Sequence, residues 1–168
     1  MIWRFRNLLA FFYLAPVIPA LANEPNIDRW GIQESSDPIT DKRLLTAGVG
    51  TTDGLILRFD CSGDHFGAVI VPFTPLVKME FITLDEQSPV IWRVDDLPAE
   101  EETWLVTRGR AGSAYAVVSL DAAAFASAVI AGENKLTFRV HGLTTSVTLE
   151  GAARNVAKAM DACGIRPQ

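Results

Sequence analysis

The sequence predicts an α+β fold in which a mainly antiparallel β-sheet or sandwich carries two short helices and is closed by one disulfide. Apolar and polar residues alternate over most of residues 30–149, the pattern of strands with one buried face. The connections are short, whereas a parallel sheet needs long crossovers. Helical periodicity is confined to two segments near residues 119–132 and 151–162.

The first 22 residues are typical of a secretory signal peptide. Arg4 and Arg6 precede an apolar run, and the small residues Ala20 and Ala22 form a cleavage site. An uncleaved membrane anchor is the alternative. However, the run contains two prolines and is short for a span, which needs about 20 apolar residues. We therefore expect cleavage after Ala22 and a periplasmic protein with no membrane span in the mature chain.

The expected mature chain has a flexible lead-in over residues 23–29 and a single globular domain over residues 30–168. Without the signal peptide, 13 basic and 20 acidic residues give a net charge of −7. An acidic surface without a Lys/Arg cluster in the sequence argues against nucleic acid and anionic lipid as partners. We expect another envelope or secreted protein as the partner.

The first half of the domain contains five strand candidates separated by turn signals. They are Trp30–Glu34, Lys42–Val49, Leu55–Cys61, His65–Val71 and Met79–Leu84. In the third, the apolar residues and Cys61 fall on one face, so Cys61 is predicted to point to the core.

A strand from Pro89 opens the second half, with Trp92 on its buried face. The pattern breaks at Asp95, continues as an acidic turn and returns to a strand at Trp104. Two further hairpins are predicted, one around an Arg/Gly-rich turn. Their strands are Leu105–Thr107 with Ala114–Val118, and Lys135–His141 with Thr144–Leu149.

Two amphipathic helices follow from the change of period. Ser119 is predicted to cap the first helix and Gly132 to close it. Its predicted apolar stripe is Leu120, Ala124, Phe125, Ala128 and Val129, and that of the second helix is Ala153, Val156, Ala157 and Met160. Cys163 follows Val156 by seven residues and is expected on the same buried side.

The two cysteines, Cys61 and Cys163, are predicted to form a disulfide in an oxidising compartment. The bridge closes a loop of roughly 100 residues, which corresponds to about 4 to 5 kcal/mol in the chain-entropy model. A redox-active pair is disfavoured because the sequence has no C-x-x-C spacing.

The acidic residues that follow the Pro89 strand form a carboxylate cluster. It has one structural and two functional interpretations. A paired-carboxylate hydrolase needs two acids in different environments, and a Ca²⁺ loop needs alternating oxygen ligands and a glycine. A solvated acidic turn fits better, and it could serve as an interaction loop. The loop residues are Asp96, Glu100, Glu101, Glu102 and Trp104. Arg93 and Asp95 are two apart, which predicts a structural ion pair or a ligand-binding pair.

No cofactor or metal site is predicted. His65 and His141 are isolated histidines and make a poor zinc site. The sequence also lacks G-x-S-x-G, so no catalytic residue is assigned.

The order of these motifs resembles the VasI (TagO) family of periplasmic proteins associated with type VI secretion. The motifs are LILRFDC ending at Cys61, VIWRVDDLP from Val90, Trp104, a helix centred on Phe125, and TLEGAARNVAKAMDAC ending at Cys163. The resemblance covers residues 55–163; Glu150 stands where an apolar or aromatic residue is expected before the glycine. It implies an exported accessory protein without an active site.

The leading hypothesis is therefore a non-enzymatic accessory or binding domain, associated with type VI secretion or another envelope machine. One alternative is a periplasmic hydrolase of cell-wall material that uses Asp95, Asp96 or a glutamate. Another is an inhibitor or immunity-type protein whose acidic loop occupies a basic cleft.

Overall fold

The computed structural model describes residues 26–36, 39, 41–63, 65–72, 86–108 and 115–166. The predicted signal peptide, the predicted strand Met79–Leu84 and most of the Arg/Gly-rich turn lie outside these residues. The described part is one nine-stranded antiparallel sheet with two helices, as the sequence predicts. The helices are α1 (Ala123–Ala131) and α2 (Ala152–Ala162). The strands are β1 (Gly31–Ser36), β2 (Arg43–Gly50), β3 (Leu55–Ser62), β4 (His65–Pro72), β5 (Gln87–Val94), β6 (Glu100–Arg108), β7 (Tyr115–Ser119), β8 (Lys135–Val140) and β9 (Leu143–Thr148).

The strands follow the order β1-β2-β3-β4-β7-β6-β5-β8-β9 across the sheet. Hydrogen bonds bring β9 close to the chain around the first strands. The Trp30 Nε1–H, just before β1, donates to the Thr148 carbonyl at 2.8 Å. The Thr145 hydroxyl donates to Asp53, in the β2–β3 turn, at 2.6 Å. The sheet therefore curls around one core.

Alternate residues of most strands enter this core, as the period of two predicts. Phe125 of α1 lies at its centre. Its ring centroid is 4.9 Å from that of Trp92, 5.3 Å from that of Phe59 and 5.7 Å from that of Trp104. One helical side chain thus packs against β3, β5 and β6, and helix α1 fixes the spacing of distant parts of the sheet.

The structure contains the predicted Cys61–Cys163 disulfide. It joins β3 to the residue that follows α2, and α2 packs on β2 and β3. A buried polar contact supports the same helix, since the Asn155 side-chain amide donates to the Trp30 carbonyl at 3.0 Å.

Both predicted helix patterns need correction in detail. Ser119 ends β7 and its hydroxyl donates to the Asp121 carbonyl, so it does not cap α1, which begins later. Leu120 therefore lies outside the helix and is 79% exposed. In α2 the buried face is rotated from the predicted one, with Ala153 exposed. The buried residues of α2 are Ala152, Asn155, Val156, Ala159 and Met160.

Helix α1 ends at Gly132, where the backbone becomes extended, and two core side chains leave no room for a Cβ there. An added Cβ would lie 2.4 Å from both Leu149 Cδ1 and Val94 Cγ1, far inside van der Waals contact. Its φ is −73°, which any residue can adopt, so space and not backbone freedom selects glycine. The prediction that the first helix ends at Gly132 is confirmed. The physical reason for the glycine is the lack of space for a side chain.

Candidate interaction site

The acidic stretch of the sequence begins in the β5–β6 connection, residues 95–99, and continues into the start of β6. Strand β5 ends at Val94, and Asp95 takes a left-handed backbone conformation with φ of 50°, which aspartate tolerates better than most residues. The Leu97 backbone N–H donates to the Val94 carbonyl at 3.1 Å, and the Asp95 N–H donates to the Lys135 carbonyl at 2.8 Å. The turn is therefore tied both to itself and to β8.

The Asp95 carboxylate holds this connection against the α1–β8 turn. Its Oδ2 accepts the backbone N–H of Glu133, and its Oδ1 accepts those of Asn134 and Lys135, each at 2.9 Å. The hydrogen bonds from Glu133 and Lys135 hold the pKa of Asp95 below its usual value, because they favour the charged form. Asp95 is thus a structural residue that is fully used by backbone donors.

The predicted Arg93–Asp95 ion pair does not form. Within the residues that the structure describes, the ion pairs are Arg43–Glu34 and Arg58–Asp60. The two-residue rule requires both side chains to stand on one continuous strand, and the left-handed backbone at Asp95 breaks that condition.

Glu102 and Trp104 do not belong to a loop, which corrects the predicted interaction loop. All three glutamates, Glu100 to Glu102, lie in β6. The Glu102 carboxylate accepts the indole N–H of Trp92 on Oε1 and that of Trp104 on Oε2, each at 2.9 Å. Trp104 is 1% exposed. Trp104 is therefore a core residue, and Glu102 supplies the hydrogen-bond acceptor that the buried indole N–H groups of Trp92 and Trp104 require.

Residues 96–101 are all exposed, and we call four of them the acidic tip: Asp96, Leu97, Glu100 and Glu101. Leu97 is 61% exposed and was missed at the sequence level. An apolar side chain inside the polar run Asp-Asp-Leu-Pro was the available signal. The tip combines the exposed Leu97 and the Asp96 carboxylate of the connection, which is held by Asp95, with the Glu100 and Glu101 carboxylates at the start of β6.

A second feature is a cavity of about 510 Å³ beside β6, β7 and the start of α1. Carboxylates of Glu102 and Asp121 line it together with Gln87 and Ser119. The sequence places these two acids 19 positions apart, and only the pairing of β6 with β7 brings them to one cavity.

The histidines lie apart from both features. His65 begins β4, and His141 lies in the β8–β9 turn with φ of 47°. Burial lowers the pKa of His141. Across the described ranges, no cluster of three or more His, Cys, Asp and Glu side chains could hold a metal ion.

No family model, curated protein or solved structure matches this chain. None of the helices in the part of the chain that the structure describes is long and apolar enough to cross a membrane.

Proposed function

We propose that this protein is an exported, non-enzymatic binding domain of the periplasm that recognises a protein partner through its acidic tip. The observation that carries the proposal is the exposed Leu97 among Asp96, Glu100 and Glu101. An apolar centre with a polar, solvent-accessible rim is the general layout of a protein interface. Because the Asp95 carboxylate already orders the connection, little entropy is lost when a partner binds.

Export is supported by the disulfide. Bridges between cysteines persist in oxidising compartments such as the bacterial periplasm and are rare in the cytosol. Here both cysteines of the chain are in one bridge that ties the sheet to the end of α2. The signal-peptide features of the first 22 residues point to the same compartment.

The partner is expected to present a basic rim around a small apolar pocket. Three carboxylates around Leu97 favour such a surface and make association depend on salt. The resemblance to the VasI family makes a component of a type VI secretion system the leading candidate. An inhibitor that occupies a basic enzyme cleft would use the same tip and differs only in what its partner does.

Affinity capture from periplasmic extract tests the proposal with paired variants. The tip variant combines Asp96→Asn, Leu97→Ser and Glu101→Gln. The control combines Asp161→Asn and Glu150→Gln, which remove two exposed charges away from the tip. We expect one partner to be retained by the native protein and the control, and lost by the tip variant and in high salt.

Equal capture by the tip variant and the native protein would overturn the tip assignment. A captured partner that loses enzymatic activity on binding identifies an inhibitor, whereas a secretion component identifies the accessory role. If the genome around this gene lacks sheath and baseplate genes, the type VI part of the proposal fails and the binding role is tested separately.

The second candidate is a hydrolase of cell-wall material, favoured by the shared cavity of Glu102 and Asp121. Two carboxylates in different environments can divide the acid and base roles. Glu102 accepts two indole N–H groups, whereas Asp121 is exposed. Release of soluble fragments from purified peptidoglycan, abolished by Asp121→Asn, would favour this candidate; no release at high protein concentration would reject it.

A further inference from the structure

We infer that the outer face of β5, β8 and β9 binds the phosphate group of a small soluble ligand between Arg93 and Arg139. This surface adjoins the acidic tip and shares Glu101 with it, but the inference does not rest on the partner-binding proposal. The site is a cavity of about 380 Å³, within the range of small-molecule sites. Its side chains include Ile91, Arg93, Ala99, Thr137, Arg139 and Thr144.

The strand register brings the two arginines together. Ile91 faces Arg139 and Arg93 faces Thr137 in the β5–β8 ladder. Arg93 and Arg139 are therefore diagonal neighbours on the outer face, about 7–8 Å apart. In the sequence they are 46 positions apart, which is why no basic cluster is visible there.

These two arginines differ from those of β2 and β3 in their charge partners. Arg43 and Arg58 each lie beside a carboxylate. Among the residues that the structure describes, no carboxylate lies within ion-pairing distance of Arg93 or Arg139. The register adds one cation to this face, Lys135, and one anion, Glu101, which stands across Ile91 from Arg139. The face therefore has an excess of positive charge, and like charges at this separation favour a bound anion.

Hydroxyl groups orient the site. The Arg139 Nε–H donates to the Thr144 hydroxyl at 2.8 Å, which fixes the guanidinium while its terminal nitrogens stay available to a ligand. The hydroxyl of Thr137, which also lines the cavity, lies 2.8 Å from that of Ser146 on β9. A guanidinium that is already oriented loses less entropy when an anion binds.

A phosphate group fits this arrangement for two reasons. Its tetrahedral oxygens can accept from two guanidinium groups that approach from different strands, whereas a planar carboxylate suits one fork. The chain as a whole is acidic, with a net charge of −5, and Asp96 and Glu100 lie in the neighbouring connection. An extended polyanion would meet more of this repulsion than a single phosphate group.

The test is a titration of the oxidised full-length mature protein with inorganic phosphate, followed by ¹H–¹⁵N NMR at constant ionic strength. Saturable shifts are expected at the backbone amides of Thr137 and Arg139. Arg93→Gln and Arg139→Gln should each weaken binding about tenfold or more, the usual loss for a hydrogen bond to a charged group. The control Arg154→Gln, an exposed arginine of α2, should leave the affinity unchanged.

Absence of saturable shifts, or an equal loss in Arg154→Gln, would overturn the site. Acetate that binds as well as phosphate would overturn the assignment to phosphate. Two further titrations, one with a soluble sugar phosphate and one with phosphatidylglycerol vesicles, distinguish a small soluble ligand from a lipid headgroup as the source of the phosphate group. Tighter binding of the sugar phosphate supports the proposal, and arginine-dependent cosedimentation with the vesicles would assign the phosphate to a lipid headgroup instead.

Discussion

Strand β3 and the end of β5 contain the same Arg-x-Asp spacing with opposite outcomes. On β3, the strand continues past Asp60 to Ser62, and the Arg58 Nε lies 2.9 Å from the Asp60 carboxylate. At the end of β5, the chain turns at Asp95, and the carboxylate binds backbone N–H groups of the α1–β8 turn. The spacing predicts a pair only where both residues remain in one extended strand.

The regions around the two strands are also held by different kinds of bond. Cys61 joins β3 covalently to the end of α2. The β5–β6 region has no covalent bridge, since the chain has only these two cysteines; there, Glu102 binds Trp92 and Trp104, and Asp95 binds the α1–β8 turn. The difference predicts which conditions will destabilise each region. Reduction of the disulfide should destabilise the β3 region, and loss of a carboxylate or of its charge should destabilise the β5–β6 region.

The largest effect is expected from removing the covalent anchor of β3. The double variant Cys61→Ser, Cys163→Ser should lose about 3–5 kcal/mol of unfolding free energy, because the bridge no longer restricts the unfolded chain. Urea unfolding of the oxidised native protein and of the variant measures the difference. Non-reducing peptide mass spectrometry should detect the Cys61–Cys163 pair in the oxidised protein.

Reduction of the native protein provides the matched control, since it opens the same bridge without changing the sequence. Its unfolding free energy should approach that of the double variant. An unchanged midpoint after complete reduction would show that α2 is held by its packing and by Asn155 alone, and the contrast between a covalent and a hydrogen-bonded anchor would then be wrong.

The next largest effect concerns Glu102 on the hydrogen-bonded side. Glu102→Ala removes the acceptor of two indole N–H groups, and an unpaired buried donor costs about 1–3 kcal/mol. We expect a loss of about 2–3 kcal/mol in unfolding free energy, together with a change in tryptophan fluorescence as the indoles lose their polar partner.

Glu101→Ala is the matched control for Glu102→Ala, because it removes the neighbouring carboxylate of the same strand from an exposed position. It should change stability by less than about 0.5 kcal/mol, as surface substitutions usually do. Similar losses in the two variants would mean that shortening any glutamate side chain of this strand lowers stability, and that the indole hydrogen bonds do not determine the effect.

The sequence was informative where periodicity alone decides the structure. The alternation from Leu55 places Cys61 on the buried face, and the helical spacing places Cys163 near it, so the bridge was predictable. The core positions of β8 follow in the same way, because Leu136, Phe138 and Val140 alternate with polar residues and are all buried.

The sequence was not informative where a single backbone angle or the pairing register of distant strands determines the structure. The glutamates of β6 look like a loop because consecutive charges have no strand period, and pairing with β5 overrides that local pattern. The partner of Asp95 lies about 40 positions away, beyond any spacing rule. The proximity of Arg93 and Arg139 likewise depends on which strands are neighbours, which a single sequence does not specify.

The smallest expected effect concerns acidification. The contributions of Asp95 and Asp60 to folding stability are expected to change with opposite sign as the pH falls. Both have an ordinary pKa of 3.8. The backbone N–H groups of Glu133 and Lys135 lower the pKa of Asp95, so its charge stabilises the fold above pH 3.8, and this stability is lost as the pH falls through the lowered pKa. Burial raises the pKa of Asp60 against the opposing effects of Arg58 and Thr46, so the folded state holds that proton more tightly and acidification favours it.

Urea midpoints measured from about pH 7 to about pH 3 test this contrast with matched variants. Asp95→Asn should lower stability at neutral pH and make the acid-induced loss smaller, since the charge that acid removes is already absent. Asp60→Asn should make the acid-induced loss larger, because the compensating proton uptake is gone. Changes of the same sign in both variants would contradict the comparison. They would mean that the Arg58 ion pair outweighs the burial of Asp60, and that the strand pair and the turn carboxylate respond to acid in the same way.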